Sequence, residues 1–307
     1  MESSVIQQST DYKFLSDGNW ETENPEYKLK IITFANNTAD YIMTRLKPKR
    51  VKERFYGMLT TYQKTLTDEQ KAQKELENIE RSARRAKQAI HHLIRQIGAD
   101  HMLTLSTREN IQDKDKFFEI FTRFIRLVRE KGLVNGKLKT MPSKRDYAYV
   151  AVPELQERGA YHMHIACVGR QDLDLLRACW YVALGGSESD SGTSVLGQID
   201  VQYHKKRFSG LTEIHKTFKL VGYLTKYIAK SFEVSHQLGE KRYSSTRSVP
   251  KPIVNNQNLV AMFDAGDKPF VDSIKEVLSI AEFHGLRDLQ LWNRGLDVFV
   301  LRGTYND

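Results

Sequence analysis

Between Gly98 and Tyr203 the hydrophobic period switches back and forth between two residues and about 3.6, and the order of those switches constrains the fold more than any other feature. His101 to Ser106 predicts a strand, Lys114 to Arg129 an amphipathic helix and Tyr147 to Glu154 a second strand. The polar stretch Gln156-Glu157-Arg158-Gly159-Ala160 predicts a turn into a third strand, Tyr161 to Val168, and hence an antiparallel hairpin. Asp172 to Ala183 then predicts a helix, and Leu196 to Tyr203 a fourth strand with Ile199, Val201 and Tyr203 on one face. The order β-α-β-β-α-β is the split βαβ, ferredoxin-like arrangement of the α+β class. It is an antiparallel sheet with helices on one face and the other face free for a ligand.

The flanks carry less pattern. Residues 1 to 35 are polar and mixed and predict a poorly structured start. Thr67 and Gln70 form the capping box of a long helix whose Ala72, Leu76, Ile79, Ala83, Ala86, Ile90, Leu93 and Ile97 recur at spacings of four and three. Such a seam serves a dimeric coiled coil or a helix laid against its own domain, and three alanines favour the second. Residues 252 to 307 read as alternating loop and helix, and Gly185 to Ser194 as a Gly/Ser loop. The expected organisation is therefore an extension over 1–97 (the unstructured start, then a long basic helix), a core over 98–235, and an α-rich C-terminal extension over 236–307 with no assigned role.

Composition narrows the function classes. No window approaches the ~18 consecutive apolar residues of a membrane span, and Met1-Glu2-Ser3-Ser4 lacks the features of a signal peptide. Cys167 and Cys179 lie in apolar stretches and cannot make a disulfide framework or a structural zinc site, which suits a reducing cytoplasm. The net charge of +9 is local: residues 41 to 100 hold 14 Lys+Arg against 7 Asp+Glu, and residues 201 to 251 hold 11 against 3. Concentrated basicity favours a polyanionic partner.

Two constellations carry chemistry. His162 and His164 alternate along the third strand, so both imidazoles point to one face. Glu154 lies eight residues before His162, and a turn centred near Arg158 places it opposite on the same face. Two imidazoles and a carboxylate suit Mn²⁺ or Mg²⁺, although zinc accepts the same ligands. Such an ion would polarise a phosphate as a Lewis acid. Farther along, Tyr-x-x-Lys occurs twice in tandem, so that on a helix Tyr223, Lys226, Tyr227 and Lys230 share one stripe, with Val221, Leu224, Ile228 and Phe232 opposite. A phenol with a pKa near ~10 is a poor nucleophile at neutral pH unless a nearby cation stabilises the phenolate, and each tyrosine has a lysine one turn away.

Taken together, these residues resemble the HUH endonuclease superfamily, specifically the two-tyrosine rolling-circle replication initiators of microviruses, filamentous phages and plasmids. Met102-Leu103-Thr104-Leu105-Ser106 resembles the first motif, Glu154 through His162-Met163-His164 the second, and the tandem Tyr-x-x-Lys the third, over about residues 98 to 235. The resemblance implies that Glu154, His162 and His164 bind a divalent metal. It also implies that Tyr223 and Tyr227 are nucleophiles forming a 5′-phosphotyrosine and releasing a 3′-hydroxyl, assisted by Lys226 and Lys230. The implied partners are single-stranded or hairpin origin DNA and a DNA polymerase, in a bacterial host cytoplasm.

Gly132-Leu-Val-Asn-Gly136-Lys137-Leu138 is one residue too short for a phosphate loop and lacks the Ser/Thr after the lysine, so unwinding is expected from a host helicase. Two-tyrosine transposases and relaxases share the same chemistry. A non-catalytic nucleic-acid-binding module is the rival from another class, but RNA-recognition sheets offer exposed aromatics where this central strand offers histidines.

Overall fold

The computed structural model describes residues 12–14, 20–22, 27–46, 67–169, 172–190, 192–202, 221–223, 242–259 and 268–305. Along the chain these form β1 (Tyr12–Phe14), β2 (Trp20–Thr22), β3 (Tyr27–Thr33), β4 (Thr38–Arg45), α1 (Asp68–Ile97), β5 (His101–Thr107), α2 (Lys114–Glu130), β6 (Lys131–Val134) and β7 (Lys137–Thr140). There follow β8 (Tyr149–Leu155), β9 (Tyr161–Cys167), α3 (Leu173–Ala183), β10 (Gly197–Gln202), β11 (Ser244–Ser245), β12 (Ile253–Leu259), α4 (Lys268–Phe283), β13 (Leu286–Arg294) and β14 (Val298–Tyr305). The protein is α+β with antiparallel sheets. No helix among the described residues is long and apolar enough to cross a membrane.

Contacts divide the chain into two compact units, Leu66–Lys251 and a unit made from both ends, Met1–Thr65 with Pro252–Asp307. The boundaries expected at 97/98 and 235/236 are therefore not where the packing divides the chain. The long helix belongs with the core it precedes, and the two ends combine.

In Leu66–Lys251 a five-stranded sheet has the order β10-β5-β9-β8-β11, every pair antiparallel. The pleat sorts its residues. Odd positions Leu103, Leu105, Tyr149, Ala151, Met163, Ile165 and Cys167 join one core with Phe117, Phe121 and Phe124 of α2 and Leu176, Cys179 and Trp180 of α3. Even positions Met102, Val150, Val152 and Ala166 form a second core with Ile90 and Ile94 of α1 and with Val221. The face expected to be free is thus covered at this end.

The reason lies in α1. Its capping box forms as expected, with the Gln70 amide donating to Thr67 Oγ1 at 3.3 Å and the Thr67 amide to Gln70 Oε1 at 3.2 Å. Gly98 ends it in the left-handed region at φ 64°. Only its C-terminal half finds the sheet: Ile90 and Ile94 are fully buried, whereas Leu76 is 49% exposed. The intramolecular seam is real for that half, and Ile94 rather than the expected Leu93 is its buried centre. Asp113 and Asp172 cap α2 and α3 by accepting from the amides two and three residues on.

The second unit corrects two expectations. The supposedly unstructured start contains β1, β2 and β3, and the supposedly α-rich tail contains one helix among three strands. Strands from the two ends make a five-stranded antiparallel sheet of order β12-β3-β4-β14-β13. Tyr27, Leu29, Tyr41, Met43, Phe299 and Leu301 pack from it against Phe270, Val277 and Ala281 of α4.

Candidate functional site

The site is built on the β8–β9 hairpin. Its turn closes through the Gln156 amide donating to the Ala160 carbonyl and the Gly159 amide to the Gln156 carbonyl, both at 2.9 Å. Gly159 sits at φ 84°, where a side chain is strained, and a Cβ there would lie 3.0 Å from Gln112 Nε2. Arg158 straps the turn to the end of β5, Nη2 donating to the Thr107 carbonyl at 2.6 Å. This loop length sets the register: Glu154 lies opposite His162, and Val152 opposite His164, as the spacing predicts.

Glu154, His162 and His164 occupy even positions, the face shared with Val150, Val152 and Ala166. His164 is 5% exposed, and its Nε2 lies 2.7 Å from Glu154 Oε2. Its Nδ1 lies 3.2 Å from Oγ1 of Thr104, its cross-strand partner on β5. His162 is half-buried, and burial, aided by the charges of His164 and Arg158 and opposed by Glu154, pushes its pKa down to about 4. A neutral imidazole with a free lone pair is the form that binds metal.

The donor set fits a divalent cation: two imidazoles and a carboxylate, on one rigid hairpin face. Yet among the described residues no three His, Cys, Asp or Glu side chains are arranged to hold an ion. Backbone register and side-chain placement differ here. The hairpin gathers all three residues, but Glu154 and His164 are hydrogen-bonded to each other, so a three-ligand set requires that contact to open and His162 to turn. The register is the firmer of the two constraints, because rotamers move while a paired strand does not.

Thr104 is the functional candidate that motif reading passed over. The His164–Glu154 hydrogen bond uses Nε2–H, which leaves Nδ1 to accept from the Thr104 hydroxyl. With Nε2 free for a metal, Nδ1–H would donate to the same oxygen. A hydroxyl can do either, so Thr104 can hold the ring through the change of tautomer. The available signal was a threonine at an even position between apolar neighbours, opposite a candidate ligand.

Of the tyrosine stripe, Tyr223 is described. Val221–Tyr223 is a helical turn whose Val221 is 4% exposed, and Tyr223 packs half-buried against the second core. That core includes the face bearing Glu154, His162 and His164, so the turn sits over the same side of the sheet. Lys226, Tyr227 and Lys230 lie outside the described residues, as do Leu224, Ile228 and Phe232.

Residues 100–232 match a family model described as Replication-associated protein, the family of ORF2 and the gene 2 protein. The matched segment starts at β5, takes in the β8–β9 hairpin and reaches the end of the tandem tyrosine motif, and it lies wholly within Leu66–Lys251. It agrees with the resemblance read from the motifs and is consistent with a rolling-circle replication initiator. Neither the comparison with curated proteins nor that with solved structures gave a match.

Proposed function

We propose that this chain is a two-tyrosine HUH endonuclease that initiates rolling-circle replication by nicking and rejoining single-stranded origin DNA. The observation that carries the reading is the placement of Glu154, His162 and His164 on one hairpin face, with the Tyr223 turn over the same side of the sheet, inside a replication-associated domain. The strand order β10-β5-β9-β8, with α2 and α3 on one face, supports a ferredoxin-like core.

Glu154, His162 and His164 would hold Mg²⁺ or Mn²⁺, which when bound supplies Lewis-acid polarisation of the scissile phosphate. The remaining work belongs to the chain. The phenol of Tyr223 or Tyr227 loses its proton, and its oxygen bonds to the scissile phosphorus. The bond from phosphorus to the 3′ oxygen breaks, and that oxygen takes up a proton to leave as a 3′-hydroxyl. Lys226 and Lys230, each one helical turn from a tyrosine, stabilise the phenolate and hold the phosphate. The energy of the broken ester is kept in the 5′-phosphotyrosine, so reversal by a later 3′-hydroxyl rejoins the strand. The free 3′ end serves a host polymerase, and a host helicase opens the duplex in the bacterial cytoplasm.

The test is to incubate the full chain with single-stranded oligonucleotides tiling the replicon that encodes it, with Mn²⁺ or with EDTA. A covalent protein–DNA adduct stable to denaturant is expected with Mn²⁺ and lost with EDTA. Single strands should be cut in preference to linear duplex, because stacking and pairing hold a duplex phosphate away from the sheet. Tight binding without an adduct would make the protein a non-catalytic binding module.

A further inference from the structure

The segment that fails as a phosphate loop forms something else. Lys131–Val134 and Lys137–Thr140 pair as an antiparallel ribbon, Val134 opposite Lys137, around the two-residue turn Asn135-Gly136. Both turn residues have positive φ, 51° and 73°, the geometry of a type I′ turn whose twist matches its strands. The ribbon is rigidly rooted. It continues directly from α2, the Met141 amide donates to the Glu130 carbonyl at 2.9 Å, and the Arg145 amide to the Arg129 carbonyl at 2.8 Å. Leu133 and Leu138, a cross-strand pair, pack on the core beneath α2 and α3.

The other face looks outward. A Cβ at Gly136 would meet nothing within 4 Å, and Val134 is 45% exposed. From 131 to 145 the chain carries Lys131, Lys137, Lys139, Lys144 and Arg145 and no acidic residue. Lys131 donates to Thr140 Oγ1 at 2.8 Å and Lys144 pairs with Glu130 at 3.0 Å. Lys137 and Lys139, both exposed, are left on the outer face, about 6.8 Å apart along the strand. A solvated lysine pair needs no such scaffold, whereas a stiff two-stranded ribbon with a cationic outer face has the width and charge to enter a major groove.

We propose that the β6–β7 ribbon binds duplex DNA flanking the cleavage site, with Lys137 and Lys139 on backbone phosphates. The ribbon is anchored to the helix-covered side of the sheet, and Glu154, His162 and His164 face the other side. It therefore grips DNA away from the scissile phosphate and positions without reading sequence. This rests on the proposed function only for the identity of the nucleic acid.

The test compares the full chain with its Lys137→Ala/Lys139→Ala variant by fluorescence anisotropy in EDTA, over a range of salt, on two probes. One is a DNA hairpin with a duplex stem beside a single-stranded segment, the other that segment alone. The variant should bind the stemmed probe about tenfold more weakly, with a salt slope shallower by roughly two, and bind the bare segment as the parent does. A Lys74→Ala/Arg85→Ala variant, which removes the same charge from the exposed face of α1, should keep the parent's preference for the stem. Unchanged stem affinity, equal losses on both probes, or an equal loss from the α1 variant would each overturn the proposal. Because binding is read in EDTA, a parent that binds stems through the ribbon but forms no adduct with Mn²⁺ would sink the endonuclease reading and leave this one standing.

Discussion

In the sheet of Leu66–Lys251 the even positions of three adjacent strands carry Thr104, Glu154, His162 and His164. In the sheet built from the chain's two ends, the buried polar groups close on one another instead. There Tyr41, fully buried, lies 2.6 Å from His284 Nδ1 and 3.1 Å from the Tyr305 hydroxyl, and burial drives its pKa far above the ordinary phenol range. Both sheets are five-stranded, antiparallel and backed by helix. One leaves its polar residues at the end of a hairpin with a half-buried imidazole to spare, and the other spends them on internal hydrogen bonds. A phenol becomes a candidate nucleophile through the cations and ligands around it, and Tyr41 has none of that company.

The largest contrast should be functional. His164→Ala is expected to lower Mn²⁺-dependent nicking by at least about a hundredfold while the far-ultraviolet circular dichroism stays unchanged, since it removes a ligand and the anchor of Glu154 together. Nicking that survives this change would place the metal elsewhere.

Core substitutions test whether the two sheets are comparably packed. Phe124→Ala, which removes a buried ring set edge-on to Trp180 with centroids 5.6 Å apart, should cost about 3–5 kcal/mol in urea denaturation. Leu301→Ala, fully buried in the other sheet, should cost about 2–5 kcal/mol. A negligible cost for Leu301 would mean that the unit made from the ends is not a true core.

Thr104→Val sharpens the site itself. It keeps the shape but removes the oxygen beside His164 Nδ1, and Mn²⁺ affinity by titration calorimetry should fall about 10–100-fold with little change in melting temperature. Unaltered affinity would show that Thr104 does not orient the ring.

The smallest effect should come from the other sheet. Tyr41→Phe removes two hydrogen bonds of a buried phenol and should cost about 1 kcal/mol of stability without altering nicking. A loss of nicking would break the separation between the two regions.

How much of this was legible follows from where the partners lie in the chain. β8 and β9 are joined by a short turn, so period-two alternation and loop length together fix that Glu154 faces His162. The end-built sheet joins Tyr27–Thr33 to Ile253–Leu259 across most of the sequence, and no local pattern announces such a pairing. Even so, the alternation of Tyr27, Leu29 and Ile31 with Lys28 and Lys30 was a strand signal inside a stretch read as unstructured. Asn135-Gly136 was likewise a hairpin signal inside a stretch weighed only as a phosphate loop. The cover of α1 over one end of the sheet was half legible: the seam predicted an apolar stripe, but not which surface it would meet. Thr104 was hidden because one threonine in a strand gains meaning only once its cross-strand neighbour is known.

The central claim is that tyrosine is the nucleophile and that two of them serve one site. A single site with two phenols can make a second cut while the first phenol still holds DNA, as release of a closed circle requires. The most direct measurement is the covalent adduct formed with labelled single-stranded origin DNA and Mn²⁺ by the parent chain, Tyr223→Phe, Tyr227→Phe and the double variant. Each single variant should retain some adduct, and the double variant should form none. An adduct formed by the double variant would contradict the assignment outright, and complete loss in one single variant would reduce the enzyme to a single working tyrosine.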